Sequence, residues 1–190
     1  MKASPEPELI QAACAGDEHA FARLLAAVRE QVFRWALIAT ADGDDAEDVT
    51  QQVSITLHRK LAQFEQRSGF STWLYRIVRN TATESRRRAH FAREVPLDLD
   101  AVQETLPAAT EDRLQQIDDA DAATLVRALF TALSPRQREL IELVDTQGYK
   151  TVEAAEMMGI EPETARVHLL RARRTLRAKM LELHPERFEP

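Results

Sequence analysis

Residues 134–180 read SPRQRELIELVDTQGYKTVEAAEMMGIEPETARVHLLRARRTLRAKM, and this stretch decides the fold of the C-terminal half. Ser134 and Gln137 flank a proline in the pattern of a capping box with proline at the first helical position. The apolar residues that follow recur at helical spacing, so the sequence predicts a helix with a defined start.

Two glycines divide the rest of the stretch. Gly148 ends the first helix, and a short helix is predicted over residues 152–158. Gly159 then forms a tight turn before Pro162, which begins a last long helix. A short helix, a tight turn and a long helix in this order predict a helix-turn-helix.

The last helix separates apolar from basic positions. Its inward stripe is predicted at Ala165, Leu169, Ala172 and Leu176. The other sides carry Arg166, His168, Arg171, Arg173, Arg174, Arg177 and Lys179. This much positive charge suits the major groove and its flanking phosphates, and the alternative is a solvated basic helix. The capping and turn pattern in front of the helix favours DNA binding.

The whole composition is typical of an all-α protein, because glycine and aromatic residues are few. No apolar run approaches the roughly 20 residues that span a bilayer, and the polar start MKASPEPE lacks the apolar core of a signal peptide. We therefore expect a cytoplasmic protein without membrane insertion. The net charge of −6 is unevenly distributed, so it does not exclude a nucleic-acid partner.

Catalytic and metal-binding patterns are missing from the sequence. HExxH, GxxxxGK and GxSxG do not occur, and the five histidines are too scattered to indicate a shared metal site. The single cysteine, Cys14, allows no internal disulfide and has no CxxC partner for zinc. We expect no enzymatic activity, no cofactor and no metal.

The N-terminal half begins with helices. Asp17 is a plausible N-cap for a long helix with an apolar core stripe, and a shorter helix precedes it up to Gly16. After a turn at residues 41–45, the next helix opens with several acidic residues. They suit the positive end of the helix dipole. The alternative, which the pattern leaves open, is a docking face for a basic partner formed by Asp48, Gln51 and Gln52.

A loop at residues 65–69 leads to a helix that Ser71 is predicted to cap. One side of this helix carries Arg76, Arg79 and Asn80, residue types that hold phosphates and meet base edges. Phe70, Trp73 and Tyr75 lie close by. They offer stacking surface for an unpaired base, or they are core residues, and the sequence leaves both interpretations open.

The composition changes after residue 93. Residues 94–120 are acidic and contain prolines, which predicts a flexible linker between two helical domains, 1–93 and 121–190. Apolar residues at 125–133 predict the first helix of the C-terminal domain.

Several segments together resemble one family. DAEDVTQQVSITLHRKLAQF, GFSTWLYRIVRNTATESRRR, LSPRQRELIEL and GYKTVEAAEMMGIEPETARVHLLRARRTL occur in the order and spacing of bacterial RNA polymerase sigma factors of the extracytoplasmic-function group. The resemblance implies an alternative sigma factor that binds core RNA polymerase and promoter DNA and is controlled by an anti-sigma factor. It also implies that the linker threads toward the polymerase active site.

The resemblance implies roles for named residues. Asp45, Asp48, Gln51 and Gln52 match the segment that grips the clamp helices of the largest polymerase subunit. The minus-10 element is assigned to Phe64, Arg67, Ser68, Phe70, Trp73, Arg76, Arg79 and Asn80. The minus-35 element is assigned to Arg166, His168, Leu170, Arg171, Arg173 and Arg174.

Some positions depart from the family pattern. Ser54 and His58 replace large aromatic residues on the docking helix, and Lys150 replaces a Ser-like helix cap. Val167 and His168 differ from common recognition residues, so promoter sequence is not transferable from relatives. The alternative function is a dimeric helix-turn-helix regulator, although such a protein has no need of a second basic helix with aromatic neighbours.

Overall fold

In a computed structural model, the residues described are 5–65, 68–93, 129 and 131–183. They are mainly helical, and no strand occurs among them, which confirms the all-α prediction. The chain divides into two compact units, one containing the N-terminal helices and one containing the C-terminal helices. The predicted linker, residues 94–120, lies outside the described residues.

The first unit is a four-helix arrangement. Its elements are α1 (Pro7–Cys14), α2 (Glu18–Thr40), α3 (Gly43–Lys60), a 3₁₀ turn (Leu61–Gln63) and α4 (Phe70–Arg93). Helix α2 packs against α1, α3 and α4, and α3 also packs against α4. Leu24, Leu57 and Leu74 are fully buried where α2, α3 and α4 meet, as the predicted apolar stripes require.

Aspartates begin two of these helices. Asp17 accepts a hydrogen bond from the Ala20 amide at 3.0 Å, which confirms the predicted N-cap. Asp42 caps α3 in the same way by accepting from the Asp45 amide at 2.9 Å. Helix α3 therefore begins inside the turn that was predicted at residues 41–45.

The prediction that Ser71 caps α4 is wrong. The helix begins at Phe70, two residues before the start that a Ser71 cap requires. The backbone carbonyl of Gly69 accepts from the Trp73 amide at 3.1 Å, so the first helical hydrogen bond already forms before Ser71. Ser71 belongs to the first turn, where its hydroxyl is not needed to start the helix.

The second unit contains the helix-turn-helix. Its elements are α5 (Pro135–Ile141), a π-helical segment (Glu142–Thr146), α6 (Thr151–Met158) and α7 (Pro162–Leu183). Helix α7 packs against both α5 and α6. Its buried stripe, defined here as Ala165, Leu169 and Ala172, follows the prediction from the sequence, whereas Leu176 is only half-buried.

The predicted turn chemistry is present in this unit. The Ser134 hydroxyl accepts from the Gln137 amide at 3.4 Å, and the Gln137 side chain accepts from the Ser134 amide at 2.9 Å. Gly148 and Gly159 have φ angles of 78° and 66°, a left-handed conformation that favours glycine. Both glycines therefore end their helices as predicted, because glycine adopts the left-handed conformation that follows a helix end.

Helix α6 starts without a hydroxyl cap. Lys150 occupies the N-cap position, and its side chain has no acceptor atom. The Glu153 carboxylate instead accepts from the Lys150 amide at 2.8 Å, which is one half of a capping box. In the helix predicted at 125–133, Leu133 is buried and Leu129 half-buried, and the other apolar positions lie outside the described residues.

Candidate nucleic-acid and protein interfaces

Three aromatic rings form a cluster where α4 begins. Phe64, Phe70 and Trp73 contact one another with ring centroids 5.0 to 5.9 Å apart. Phe70 is only 8% exposed and supports the other two rings, which are half-buried. The cluster therefore has one buried ring beneath two rings whose surface reaches solvent. Such an arrangement can serve as a platform for stacking.

Tyr75 does not belong to this cluster. Its ring packs edge-to-face against Trp35 of α2 at 5.2 Å, and the residue is 4% exposed. The sequence left open whether the aromatic residues stack on a base or belong to the core. Tyr75 is a core residue. Trp73 keeps the exposure that stacking on a base requires. Arg67 lies outside the described residues, and Ser68 is half-buried.

Polar residues continue along α4 from the aromatic cluster. Arg76 and Asn80 are exposed and one helical turn apart, and Arg79 is half-buried beside them. Further along, Arg88 is paired with Glu84 at 2.5 Å. The helix thus presents charge and amide groups immediately beyond the ring surface, as the sequence predicted.

Helix α3 presents an exposed acid-and-amide face. This face is formed by Asp45, Asp48, Gln51 and Gln52, all exposed. The influence of the helix dipole falls off within the first turn, and Asp48 and the two glutamines lie beyond it. The dipole therefore accounts for the first acids of α3 but not for these three residues.

Two features of α3 were not predicted from the sequence. Ile55 continues the acid-and-amide face and is 46% exposed, although its apolar character predicts burial. His58, one of the departures from the family pattern, is exposed and packs edge-on against the Phe21 ring at 5.0 Å. The surface of α3 thus differs here from that of a helix with a large aromatic residue at this position.

Helix α7 exposes most of the predicted minus-35 residues. Arg166, Leu170, Arg171, Arg173 and Arg174 are exposed, and His168 is half-buried. The residues lie on the sides of the helix that point away from its buried stripe. The predicted basic residues are therefore mostly exposed on the second and longer helix of a helix-turn-helix, the element that enters the major groove in proteins with this motif.

The arginines of α7 differ in their partners. Arg173 makes two hydrogen bonds to Asp145 of the π-helical segment, at 2.5 and 3.1 Å. The hydrogen bond to this carboxylate raises the pKa of Arg173 above its ordinary value. Arg166 is paired with Glu163 at 2.5 Å. The sequence does not predict the Asp145 contact, because its two residues are 28 positions apart.

Two other kinds of site are absent from the described residues. None of the described helices combines the length and the hydropathy that crossing a bilayer requires. No group of three or more His, Cys, Asp or Glu side chains within the described ranges is arranged to hold a metal ion. Cys14 is half-buried, and burial raises the pKa of its thiol.

Comparison with known proteins identifies the family. Residues 24–91 match the family model for Sigma-70 region 2, and residues 123–176 match the one for Sigma-70 region 4. The chain is 32% identical to the ECF RNA polymerase sigma factor SigM of Mycobacterium tuberculosis H37Rv over 90% of its own length and 82% of the relative. The chain belongs to the ECF RNA polymerase sigma factors.

Two solved structures resemble this sigma factor. RpoE from Bartonella quintana, in complex with the anti-sigma factor NepR, is 27% identical with a TM-score of 0.62, and the match covers 87% of this chain and 97% of RpoE. CnrH, in complex with the cytosolic domain of CnrY, is 24% identical with a TM-score of 0.62 and coverages of 90% and 94%. The second likeness concerns the fold alone.

The candidate sites of this sigma factor fall within the matched regions. The acid-and-amide face, the aromatic cluster and the arginines that begin α4 lie in the region 2 match. The exposed arginines of α7 up to Arg174 lie in the region 4 match. Family membership does not favour the alternative of a dimeric regulator.

Proposed function

We propose that this ECF sigma factor binds core RNA polymerase and directs initiation at promoters with minus-10 and minus-35 elements. The observation that carries the proposal is that one chain contains both an aromatic platform beside a basic helix and a basic helix-turn-helix. Single-stranded DNA is bound by aromatic rings that stack on its bases, whereas duplex DNA is bound by basic and polar side chains that contact phosphates and base edges. The two surfaces of this chain match these two requirements.

The acid-and-amide face of α3 docks on the clamp helices of the largest polymerase subunit. Its carboxylates complement a basic partner, and its glutamine amides donate and accept hydrogen bonds. Ile55 adds an apolar contact at the end of the same face, since protein interfaces combine apolar with polar contacts. This docking brings both DNA-binding surfaces to the promoter.

The aromatic cluster captures an unpaired base of the minus-10 element. The half-buried rings of Phe64 and Trp73 stack on the base, and Phe70 holds them in place from below. Arg76, Arg79 and Asn80 then follow the backbone of the melted strand, because guanidinium and amide groups suit phosphate and base-edge contacts.

The exposed side of α7 reads the minus-35 element in the major groove. Arg171 is placed to donate two hydrogen bonds to a guanine, and Arg174 is one turn away at the phosphates. The linker threads toward the polymerase active site, where its negative charge suits a channel built for nucleic acid. The protein acts in the cytoplasm, needs no cofactor and is not itself an enzyme.

An anti-sigma factor keeps the protein inactive by covering the DNA-binding surfaces of both domains. RpoE of Bartonella quintana, whose fold is similar, is bound by an anti-sigma factor. The expected footprint includes Arg76 on α4 and Arg166 and Arg171 on α7. Hydroxyl-radical footprinting of the isolated complex tests this, and full accessibility of all three arginines would contradict occlusion.

The decisive test is run-off transcription with purified core polymerase on fragmented DNA of the source genome. With this protein added, we expect discrete new transcript starts that share two upstream sequence motifs. A dimeric regulator would instead bind duplex DNA tightly without polymerase and would create no new starts. The two outcomes therefore separate the proposed function from its alternative.

Replacing both Asp48 and Gln52 with alanine tests the docking face. We expect about a 5- to 30-fold weaker affinity for core polymerase, the size of one or two interface contacts, with unchanged helicity because both residues are exposed. Fluorescence anisotropy with labelled protein measures the affinity. Glu30→Ala, an exposed acid on α2, is the matched control. A loss of helicity in the double variant would return these residues to a structural role.

A further inference from the structure

Four exposed residues in the middle of α7 point away from its buried stripe. This outer ridge consists of Val167, Leu170, Arg171 and Arg174. At 3.6 residues per turn, their positions fall within an arc of about 100° that lies opposite the buried stripe. The ridge is therefore the part of α7 that enters a groove first and farthest.

The charges of α7 are divided between this ridge and its flank. Arg166 and Arg173 lie on one flank, where Glu163 and Asp145 already hold them. On the ridge, Arg171 and Arg174 make no ion pair within the part of the chain that the structure describes. Two cations of the ridge itself are thus available to a new partner.

Two residues of the ridge are apolar and exposed, and packing within their own unit does not account for them. Val167 is 44% and Leu170 is 50% exposed, and residues three apart are neighbours on a helix surface. Phosphate contacts gain nothing from such side chains. In the major groove, the apolar feature that distinguishes one base pair from the others is the 5-methyl group of thymine.

We propose that Val167 and Leu170 read thymine 5-methyl groups in the minus-35 element, next to a guanine contacted by Arg171. The inference rests on the proposed function and adds base identities to it. Arg166 and Arg173, which their acidic partners hold on the flank, then contribute less to sequence preference. The ridge as a whole favours an element in which thymine adjoins guanine.

Uracil substitution tests the inference without changing the protein. Each thymine of a mapped minus-35 element, on either strand, is replaced by deoxyuridine, which removes only the methyl group. Holoenzyme affinity is measured by competition binding on these templates. We expect about a fourfold loss at one or two positions, the change that corresponds to burying one methyl group.

Protein variants connect the loss to the ridge. Val167→Ala and Leu170→Ala are each expected to bind the thymine promoter more weakly and to lose the sensitivity to uracil at one position. Leu181→Ala is the matched control, because Leu181 is 41% exposed near the end of the same helix, roughly 16 Å from Leu170 along the axis. It is expected to keep the full uracil response.

Several results would overturn the inference. They are a minus-35 element without thymine, a wild-type holoenzyme indifferent to uracil, or a uracil penalty that persists in both alanine variants. Variants that bind DNA normally but bind an inhibitory protein more weakly would make the two residues a protein-docking surface. If run-off transcription gives no promoter-specific starts, the proposed function fails, and this inference fails with it.

Discussion

Helices α4 and α7 are both long and both carry arginines, but they are anchored differently. Large side chains such as Leu74 and Val78 bury α4 among its neighbours, whereas two of the three residues in the buried stripe of α7 are alanines. Small anchors let α7 lie close to α5 and α6 while its outer ridge stands clear. The comparison shows two kinds of exposed surface: the rings where α4 begins are partly recessed and supported, whereas the exposed side of α7 protrudes, and the proposed function assigns the first to a single base and the second to duplex DNA.

The same substitution on the two helices gives the largest contrast. Leu74→Ala removes a fully buried side chain, so we expect the free energy of unfolding to fall by about 2–5 kcal/mol. Leu170→Ala removes an exposed one, and the expected change is within about 0.5 kcal/mol. Urea unfolding followed by circular dichroism measures both. Equal losses would break the distinction between a buried anchor and an outer ridge.

Trp73→Ala tests the recessed platform. Loss of one stacking ring is expected to weaken open-complex formation by about 1–3 kcal/mol, since this is the effect of removing one stacked aromatic residue. Fluorescence of 2-aminopurine placed in the minus-10 element reports the melted state. Trp73→Phe, which keeps a ring, is expected to retain most of the activity. A pre-melted template that fully restores the alanine variant would assign Trp73 to strand opening instead of base capture.

Arg171→Ala tests the protruding ridge. We expect minus-35 recognition to weaken by about 1–3 kcal/mol and sequence preference to relax at one position, if the arginine makes a bidentate base contact. Binding of holoenzyme to a set of single-base promoter variants measures both effects. The control is Arg177→Ala, which removes an exposed arginine nearer the end of α7. Equal losses on all promoter sequences would make Arg171 a phosphate contact.

Asp145→Asn gives the smallest expected effect. The Asp145–Arg173 pair is substantially exposed, so its loss is expected to cost less than about 1 kcal/mol of stability. Arg173 becomes available to a phosphate, and the slope of log affinity against log salt is expected to steepen by about 0.9. Titrations at several salt concentrations measure this slope. An unchanged slope would mean that Arg173 already contacts DNA while paired.

Much of the fold follows from local signals. Asp17, Ser134 and the two helix-ending glycines were predicted because a cap satisfies backbone groups within four residues of itself. The apolar stripes of α2, α3 and α7 were predicted because helical periodicity alone specifies which side is inward. Ser71 was misassigned because Ser and Thr are good caps on average, while a glycine carbonyl and a phenylalanine start α4 here.

The candidate sites were predicted unevenly. The acid-and-amide face and the basic residues of α7 are visible in the sequence, since charge at exposed helical positions needs no partner to be recognised. Val167 was noted only as a departure from common recognition residues and Ile55 was missed, because an apolar residue outside the inward stripe has no charge that marks it as a contact. Their exposure is decided by which neighbours the helix has on each side, and that information is not local.

By itself, the sequence determined the helices, most of their caps, the inward stripes and the family, since each of these is encoded by residues close together along the chain or by motifs in a fixed order. Only the tertiary structure decided which aromatic rings are core, which arginines are already held by acids and which apolar side chains face solvent. Tyr75 meets Trp35 across 40 positions, and Arg173 meets Asp145 across 28. Such contacts depend on how helices pack against one another. Periodicity specifies which face of a helix is buried but not which helix covers it.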